Sequence, residues 1–276
     1  MSLPAILLYS VFFIYPLLRG IGMSLTDWDG MGEAHFIGLS NFARFFQDPR
    51  ATGDIRTTLI FAAGSAILLN LVGLGYALLM EHPFPGRSLA RVMIYLPAII
   101  SPLIMGYIWY FLLQPGRGFL YHAAEQLNTK FFLGKWMNDY GTTMAVLIFV
   151  NVWQYAGMTM IIYLAGLKNI STDIREAALI DGAGTWQRFF CVTLPLLMPS
   201  IRINVVTNII GSLSVFDVIM SLTEGGPGYA TESLSIYIMR MCYGSRTGYS
   251  TAVAVILFLI ILVPVLISLR LTRGEE

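Results

Sequence analysis

The sequence predicts an all-α membrane protein with six transmembrane helices and a helical hairpin between the fourth and the fifth. Two observations lead to this prediction. Hydrophobic residues make up 56% of the 276 residues and charged residues only 12%, whereas a soluble domain carries about 25% charged residues. The apolar residues are also grouped in runs of about 20, the length that crosses a bilayer as a helix. We therefore treat residues 1–276 as a single transmembrane domain.

The six apolar runs follow one another along the chain. The first has no basic residues ahead of it and no Ala-x-Ala cleavage site, so we interpret it as an uncleaved span. Pro16, Pro97 and Pro102 lie within or at the ends of the runs, where proline kinks a helix and frees a carbonyl group. The predicted spans cover about residues 3–25, 58–80, 92–113, 142–166, 201–221 and 251–270.

The orientation follows from the distribution of positive charge. An even number of spans places both termini on one side of the membrane. The loops on that side and the loops on the other side each hold eight Lys and Arg residues, so the raw count is a tie. The loops on the side of the termini are shorter, and the higher density of positive charge favours cytoplasmic termini.

Polar side chains interrupt the fourth and fifth spans at helical spacing. Such groups face the protein interior or a watery path, and the aromatic neighbours Trp153 and Phe216 would suit a hydroxyl-rich solute. Interhelical hydrogen bonds that hold a bundle together explain the two stripes equally well. Asp217 is either an ion site or, by preference, a residue that reaches solvent at the membrane edge. The candidate pathway residues are Asn151, Gln154, Tyr155, Asn204, Asn208, Ser214 and Asp217.

A charged segment, residues 171–195, separates the fourth and fifth spans. Asp173 is expected to cap a first helix, with Glu176 in the reciprocal capping position. Gly182 and Gly184 supply the backbone freedom for a sharp turn into a second helix. An amphipathic helix that lies on lipid is usually rich in Lys and Arg, and this segment has two Arg residues and no Lys. It therefore favours docking to a protein.

Three motifs resemble permease subunits of binding-protein-dependent ABC importers. Glu176-Ala-Ala, followed by Asp-Gly-Ala183 and then Leu-Pro195, is similar to the cytoplasmic signature of these permeases. Leu222-Thr-Glu-Gly-Gly-Pro-Gly, after Phe-Asp217, is similar to the end of the fifth span in their carbohydrate, maltose-type branch. Ile37-Gly-Leu-Ser-Asn-Phe resembles the segment after the first span in the same branch. The resemblance covers nearly the whole chain.

The resemblance implies that the segment 171–195 is a coupling helix hairpin seated in a cytoplasmic ATPase dimer. That ATPase would bind the ATP and Mg, so no cofactor is expected in this chain. The resemblance also implies a second homologous permease subunit, an extracytoplasmic solute-binding protein, a sugar substrate, and a location among the lipids of a bacterial or archaeal cytoplasmic membrane. The residues it assigns to ATPase coupling are Glu176, Ala177, Ala178, Asp181, Gly182 and Ala183.

Other classes of protein fit the sequence less well. The chain has no GxxxxGK(S/T) loop and no convergent catalytic side chains, so we expect a non-catalytic subunit that receives energy from a partner. Its two Cys and three His residues are too scattered for a metal site, and its net charge of +1 does not indicate a nucleic-acid partner. The competing hypothesis is an ion- or proton-coupled secondary transporter, which would show internal repeats; we find no convincing repeat.

The sequence leaves the solute open. Basic residues within the spans are too few to indicate an anionic substrate. A neutral mono- or oligosaccharide is therefore preferred, and an importer for glycerol phosphate is the alternative.

Overall fold

A computed structural model describes residues 3–126 and 136–271 of the chain. Within these ranges the regular structure is helical, apart from an isolated bridge between Thr26 and Phe36. The all-α prediction is confirmed. In the described part of the chain, four helices are long and apolar enough to cross a membrane, and there are up to six candidate spans if each of two bent helix pairs counts as one.

The helices are numbered here in chain order over the described ranges. They are α1 (Leu3–Met23), α2 (Ser40–Gln47), α3 (Pro49–Leu79), α4 (Arg87–Ile99), α5 (Pro102–Leu113), α6 (Phe119–Gln126), α7 (Tyr140–Lys168), α8 (Thr172–Ile180), α9 (Thr185–Leu196), α10 (Met198–Leu213), α11 (Asp217–Leu222), α12 (Leu234–Tyr243) and α13 (Thr247–Leu271).

Two helices contain a π-helical turn directly ahead of a proline. In α1 the turn is Ser10–Ile14, before Pro16, and in α9 it is Phe189–Thr193, before Pro195. In both, the backbone N–H of the residue before proline bonds the carbonyl five residues back. Proline lacks an N–H and its ring collides with the carbonyl four residues back, so the wider turn accommodates it without ending the helix.

The third predicted span, 92–113, is not one continuous helix. It is formed by the end of α4 and by α5, which meet at an angle of 98°. Ser101, the residue before Pro102, has ψ 131°, because the proline ring disfavours a helical conformation at the position ahead of it. The break leaves the carbonyl of Ile100 outside both helices.

The fifth predicted span, 201–221, is also interrupted. Helix α10 ends at Leu213, residues 214–216 are not helical, and α11 begins at Asp217. The hydroxyl of Ser214 donates to the carbonyl of Ile210 at 2.7 Å, and Phe216 has φ −136°. A serine that bonds the preceding turn competes with the continuing helix, and the helix is interrupted here. Ahead of α10, the pair α9 and α10 is bent by 69°.

Small residues bring the long helices close together. A Cβ atom on Gly157 of α7 would lie 2.3 Å from the carbonyl oxygen of Ile94 in α4. A Cβ atom on Gly73 of α3 would lie 2.5 Å from the side chain of Thr159. Close approach at glycine is a recurrent way of packing helices in membranes, where apolar side chains gain nothing by leaving lipid. Helix α7 is therefore the centre of the bundle.

Candidate translocation cavity and hairpin

A central cavity of about 410 Å³ lies between α7, α10 and the start of α5. It is bordered by Leu69 of α3, Pro102 of α5 and Phe216 ahead of α11. Trp153, the other aromatic neighbour expected there, instead packs edge-on against Trp109 at 5.3 Å. All seven residues predicted from the polar stripes line this one cavity: Asn151, Gln154, Tyr155, Asn204, Asn208, Ser214 and Asp217.

Two of these polar side chains hold helices together. Gln154 is 1% exposed, and its Nε2 donates to the carbonyl of Ile100 at 3.1 Å, which is the carbonyl freed by the break between α4 and α5. Asn204 is fully buried, and its Nδ2 donates to the carbonyl of Thr159 at 3.2 Å. The packing explanation of the stripes thus accounts for the nitrogen atom of each amide, which donates to a backbone carbonyl of another segment.

Other predicted side chains have polar atoms that line the cavity. Asn208 shares a hydrogen bond of 3.3 Å with the hydroxyl of Thr159. Tyr155 is half-buried, and Ser214 and Asp217 are exposed. Among the described residues that line the cavity there is no Arg, Lys or His, and Asp217 is the single carboxylate. This lining can donate and accept hydrogen bonds but has no cation to pair with an anionic solute.

The hairpin, residues 171–195, begins with a different cap from the predicted one. The hydroxyl of Ser171 accepts the N–H of Ile174 at 3.5 Å, whereas Asp173 lies inside the first turn of α8. The expectation that Asp173 caps the helix with Glu176 opposite is therefore wrong. The reason is that Ser171, with ψ 147°, is the last extended residue, and an N-cap residue must lie outside the helix.

The turn of the hairpin depends on Gly182. Its φ is +74°. The N–H of Gly182 donates to the carbonyl of Leu179 at 3.0 Å, and the N–H of Ala183 donates to the carbonyl of Ala178 at 3.0 Å. This pair of bonds is the Schellman ending of a helix, in which glycine takes the left-handed position. Gly184 has φ −65°, so only the first of the two predicted glycines needs its conformational freedom.

The hairpin is tied to the bundle through Arg175, and most of its residues are exposed. The guanidinium of Arg175 pairs with Glu81 after α3 and donates to the carbonyl of Leu167 at 2.7 Å. Ile180 is 85% exposed and Trp186 is 76% exposed. Of the residues assigned to ATPase coupling, Ala178 is buried and Ala183 half-buried; Glu176, Ala177, Asp181 and Gly182 are exposed. Large apolar side chains on a polar segment are typical of a surface that binds another protein.

The end of the bundle opposite the hairpin holds an ionic cluster that the sequence argument missed. Glu232 is fully buried, accepts hydrogen bonds from Arg50 at 2.7 and 3.0 Å, and forms an ion pair with Arg240 at 2.9 Å. The guanidinium of Arg50 also stacks 3.7 Å from the centre of the Tyr229 ring. The sequence argument treated the two arginines as loop charges. Glu232 lies four residues after the Leu-Thr-Glu-Gly-Gly-Pro-Gly motif, but no local pattern links it to Arg50.

Asp48 completes this end of α3. It caps the helix through the N–H of Arg50 at 2.8 Å, and it accepts the hydroxyl of Tyr237 at 2.7 Å. Partial burial by itself would raise the pKa of Asp48, but the hydrogen bonds from Tyr237 and from the backbone of Arg50 and Ala51 bring that pKa below its ordinary value of 3.8. Since α3 has 31 residues, it spans about 46 Å between this cluster and the hairpin anchor at Glu81.

Comparison with known proteins agrees with this architecture. The family described as "Binding-protein-dependent transport system inner membrane component" matches residues 70–274. A probable starch degradation products transport system permease protein, AmyD of Thermoanaerobacterium thermosulfurigenes, is 34% identical over 99% of this chain and 92% of its own. The sn-glycerol-3-phosphate transport system permease protein UgpA of Yersinia pestis is 32% identical over 99% of this chain and 92% of its own.

A solved structure also matches over nearly the whole chain. It is a bacterial alginate ABC transporter in complex with an alginate pentasaccharide-bound periplasmic protein. The TM-score is 0.85 at 25% identity, and the match covers 99% of this chain and 92% of that chain. Together with the apolar helices, these similarities place the chain in the inner membrane as a multi-pass transport subunit. The chain belongs to the family of binding-protein-dependent transport system inner membrane components.

Proposed function

We propose that this chain forms half of the translocation pathway of an ATP-driven ABC importer for a neutral sugar or oligosaccharide. A second homologous permease subunit would complete the path. A cytoplasmic ATPase dimer would bind the ATP and Mg and drive the cycle, and an extracytoplasmic binding protein would deliver the solute. This chain would have no catalytic role.

The chemistry of the central cavity supports this proposal most directly. Its described lining combines amides, hydroxyls and the ring of Tyr155 with a single carboxylate, Asp217, and contains no basic side chain. Hydroxyl groups of a sugar can both donate to and accept from such a lining, and an apolar ring face packs against an aromatic side chain. An anion would find no positive partner, and its desolvation would be uncompensated.

The hairpin supports the coupling part of the proposal. Its exposed apolar residues Ile180 and Trp186 lie beside the turn at Gly182, and the salt bridge of Arg175 with Glu81 ties it to the end of α3. A force on the hairpin would therefore act on α3 and, through the carbonyl of Leu167, on α7. Both helices contribute residues to the central cavity, so movement of a docked ATPase could change the shape of that cavity.

Glycerol phosphate is the second candidate solute. It is favoured by the similarity to a permease named for its transport, and it is disfavoured by the absence of a basic residue from the described lining of the cavity. Ion- or proton-coupled transport is a weaker alternative, since the chain belongs to a binding-protein-dependent family.

Uptake by the reconstituted complex would test the proposal. The chain would be incorporated into proteoliposomes with its partner permease, ATPase and binding protein, and supplied with maltotriose, lactose or sn-glycerol 3-phosphate. We expect ATP-dependent uptake of at least one sugar and none of the phosphate ester. Uptake that needs an ion gradient but no ATP, or uptake of glycerol phosphate alone, would contradict the proposal.

A matched pair of variants would test the cavity itself. Asn208→Leu removes a polar group that lines the cavity, and Asn138→Leu makes the same change at an exposed position outside it. We expect the first to reduce sugar uptake without loss of complex assembly, and the second to leave uptake unchanged. Equal uptake by both variants would favour a purely structural role for the polar stripe.

A further inference from the structure

A second cavity, of about 390 Å³, lies at the end of α3 opposite the hairpin. We call it the outer pocket. Its walls are the first turns of α3, Tyr140 at the start of α7, and residues 228–230 of the loop between α11 and α12. It shares no lining residue with the central cavity. Its volume falls within the range of about 300–1,000 Å³ that is typical of small-molecule sites.

Two buried polar atoms in the outer pocket lack a partner within the part of the chain that the structure describes. Asp54 is only 2% exposed, and its Oδ2 accepts no hydrogen bond. The hydroxyl of Tyr140 is buried and likewise unpaired. Buried polar atoms nearly always have a partner in proteins. Because both residues line the same cavity, these two atoms point to a ligand that occupies it.

The same pocket also offers donors and an aromatic ring. Arg50 is fixed by its two hydrogen bonds to Glu232 and lies against the ring of Tyr229. Arg56 adds an exposed guanidinium. The hydroxyl of Thr57 donates to the carbonyl of Ala230 at 3.1 Å and so holds the loop against α3. The pocket is therefore built by contacts between distant segments and does not depend on a single loop.

This mixture of groups selects the class of ligand. A simple cation would meet the two arginines, and a simple anion would meet the buried Oδ2 of Asp54. A polyhydroxylated molecule can donate to Asp54, accept from an arginine and exchange hydrogen bonds with Tyr140 in one position. Aromatic rings beside such groups provide contact area for the apolar face of a sugar.

We propose that the outer pocket is a second sugar-binding site, which the solute occupies before it reaches the central cavity. This inference rests on the proposed function. Leu69, which borders the central cavity, follows Asp54 by fifteen residues on α3, a distance of about 22 Å along the helix. The two sites would thus lie in sequence along one helix, at the outer end of the bundle and near its middle.

Protection of introduced cysteines by sugar would test the second site. In the complete reconstituted complex, Cys191→Ser and Cys242→Ser would remove the native exposed thiols. Gly53→Cys then reports on the outer pocket and Gly211→Cys on the central cavity, and both positions have space for a side chain. Ala43→Cys, exposed on α2 and outside both cavities, is the control.

The probe is whichever of maltotriose and lactose the wild-type complex transports. At twice its dissociation constant, we expect it to slow labelling by a membrane-impermeant thiol reagent about threefold at Gly53→Cys, and to leave Ala43→Cys unchanged. Adding Asp54→Asn to the Gly53→Cys chain should abolish that protection. The same Asp54→Asn change should leave protection at Gly211→Cys in place.

Each other result has a distinct meaning. Protection at Gly211→Cys without protection at Gly53→Cys would overturn the outer site while the proposed function stands. Equal protection at all three positions would also overturn it, since the effect would then be indirect. If the wild-type complex transports neither sugar, the proposed function fails, and the second site fails with it.

Discussion

Replacement of Glu232 by glutamine should destabilise the protein more than any surface change. The carboxylate is fully buried, accepts two hydrogen bonds of 2.7 and 3.0 Å from Arg50, and forms an ion pair with Arg240 at 2.9 Å. Glu232→Gln keeps the size of the side chain but removes its charge. One amide oxygen must then serve two guanidinium groups, and the amide nitrogen faces donors instead of accepting from them.

The expected loss follows from the burial of this pair. Removing one partner of a buried ion pair typically costs about 3–5 kcal/mol, because the other charge stays in a poorly solvated site. The side chains of Arg50 and Arg240 are 29% and 25% exposed. Water can reach part of each guanidinium, so we expect a loss of about 3 kcal/mol, at the lower end of that range.

The free energy of unfolding would be measured in detergent micelles by titration with SDS. Glu33→Gln makes the same change at an exposed position and should shift the free energy by no more than about 0.5 kcal/mol. A loss below about 1 kcal/mol for Glu232→Gln, the value of an ordinary surface ion pair, would refute the buried-cluster argument. Arg240→Met, alone and combined with Glu232→Gln, would then measure the interaction free energy between Glu232 and Arg240.

Three further predictions concern the turn, the helix packing and the acid response. Gly182→Val should abolish ATP-driven uptake with normal membrane insertion, because a branched residue at φ +74° costs about 1–3 kcal/mol. The control Gly184→Val, at φ −65°, should transport normally. Equal uptake by the two variants would contradict this prediction. Gly157→Ala should lower the free energy of unfolding by about 1–3 kcal/mol through overpacking against α4, whereas Gly211→Ala meets no neighbour and should not. The folded-state pKa of Asp48 lies below its ordinary value of 3.8. The carboxylate therefore contributes fully to the free energy of unfolding above pH 3.8, and this contribution is lost as the pH falls through the folded-state pKa. In Asp48→Asn, the free energy of unfolding should fall less over this acid range.

Much of the site could be predicted because its signals are local. The polar residues of the fourth and fifth spans recur at helical spacing, so they lie on one face of each helix whatever the neighbours do. Seven of them line one cavity in the structure. The sequence did not predict which of them form hydrogen bonds between helices and which leave polar atoms free to face the cavity. Gln154 is committed to the carbonyl of Ile100, and that carbonyl is free only because α4 and α5 part at Pro102.

The sequence alone determined the all-α class and the presence of several apolar spans, because run length and residue periodicity are properties of neighbouring residues. Tertiary structure decided which polar groups of the spans are used in packing. It also decided that Glu232 joins Arg50 across 182 residues of chain. That contact depends on how the ends of distant helices pack together, and a local sequence pattern does not predict the free energy of such long-range packing.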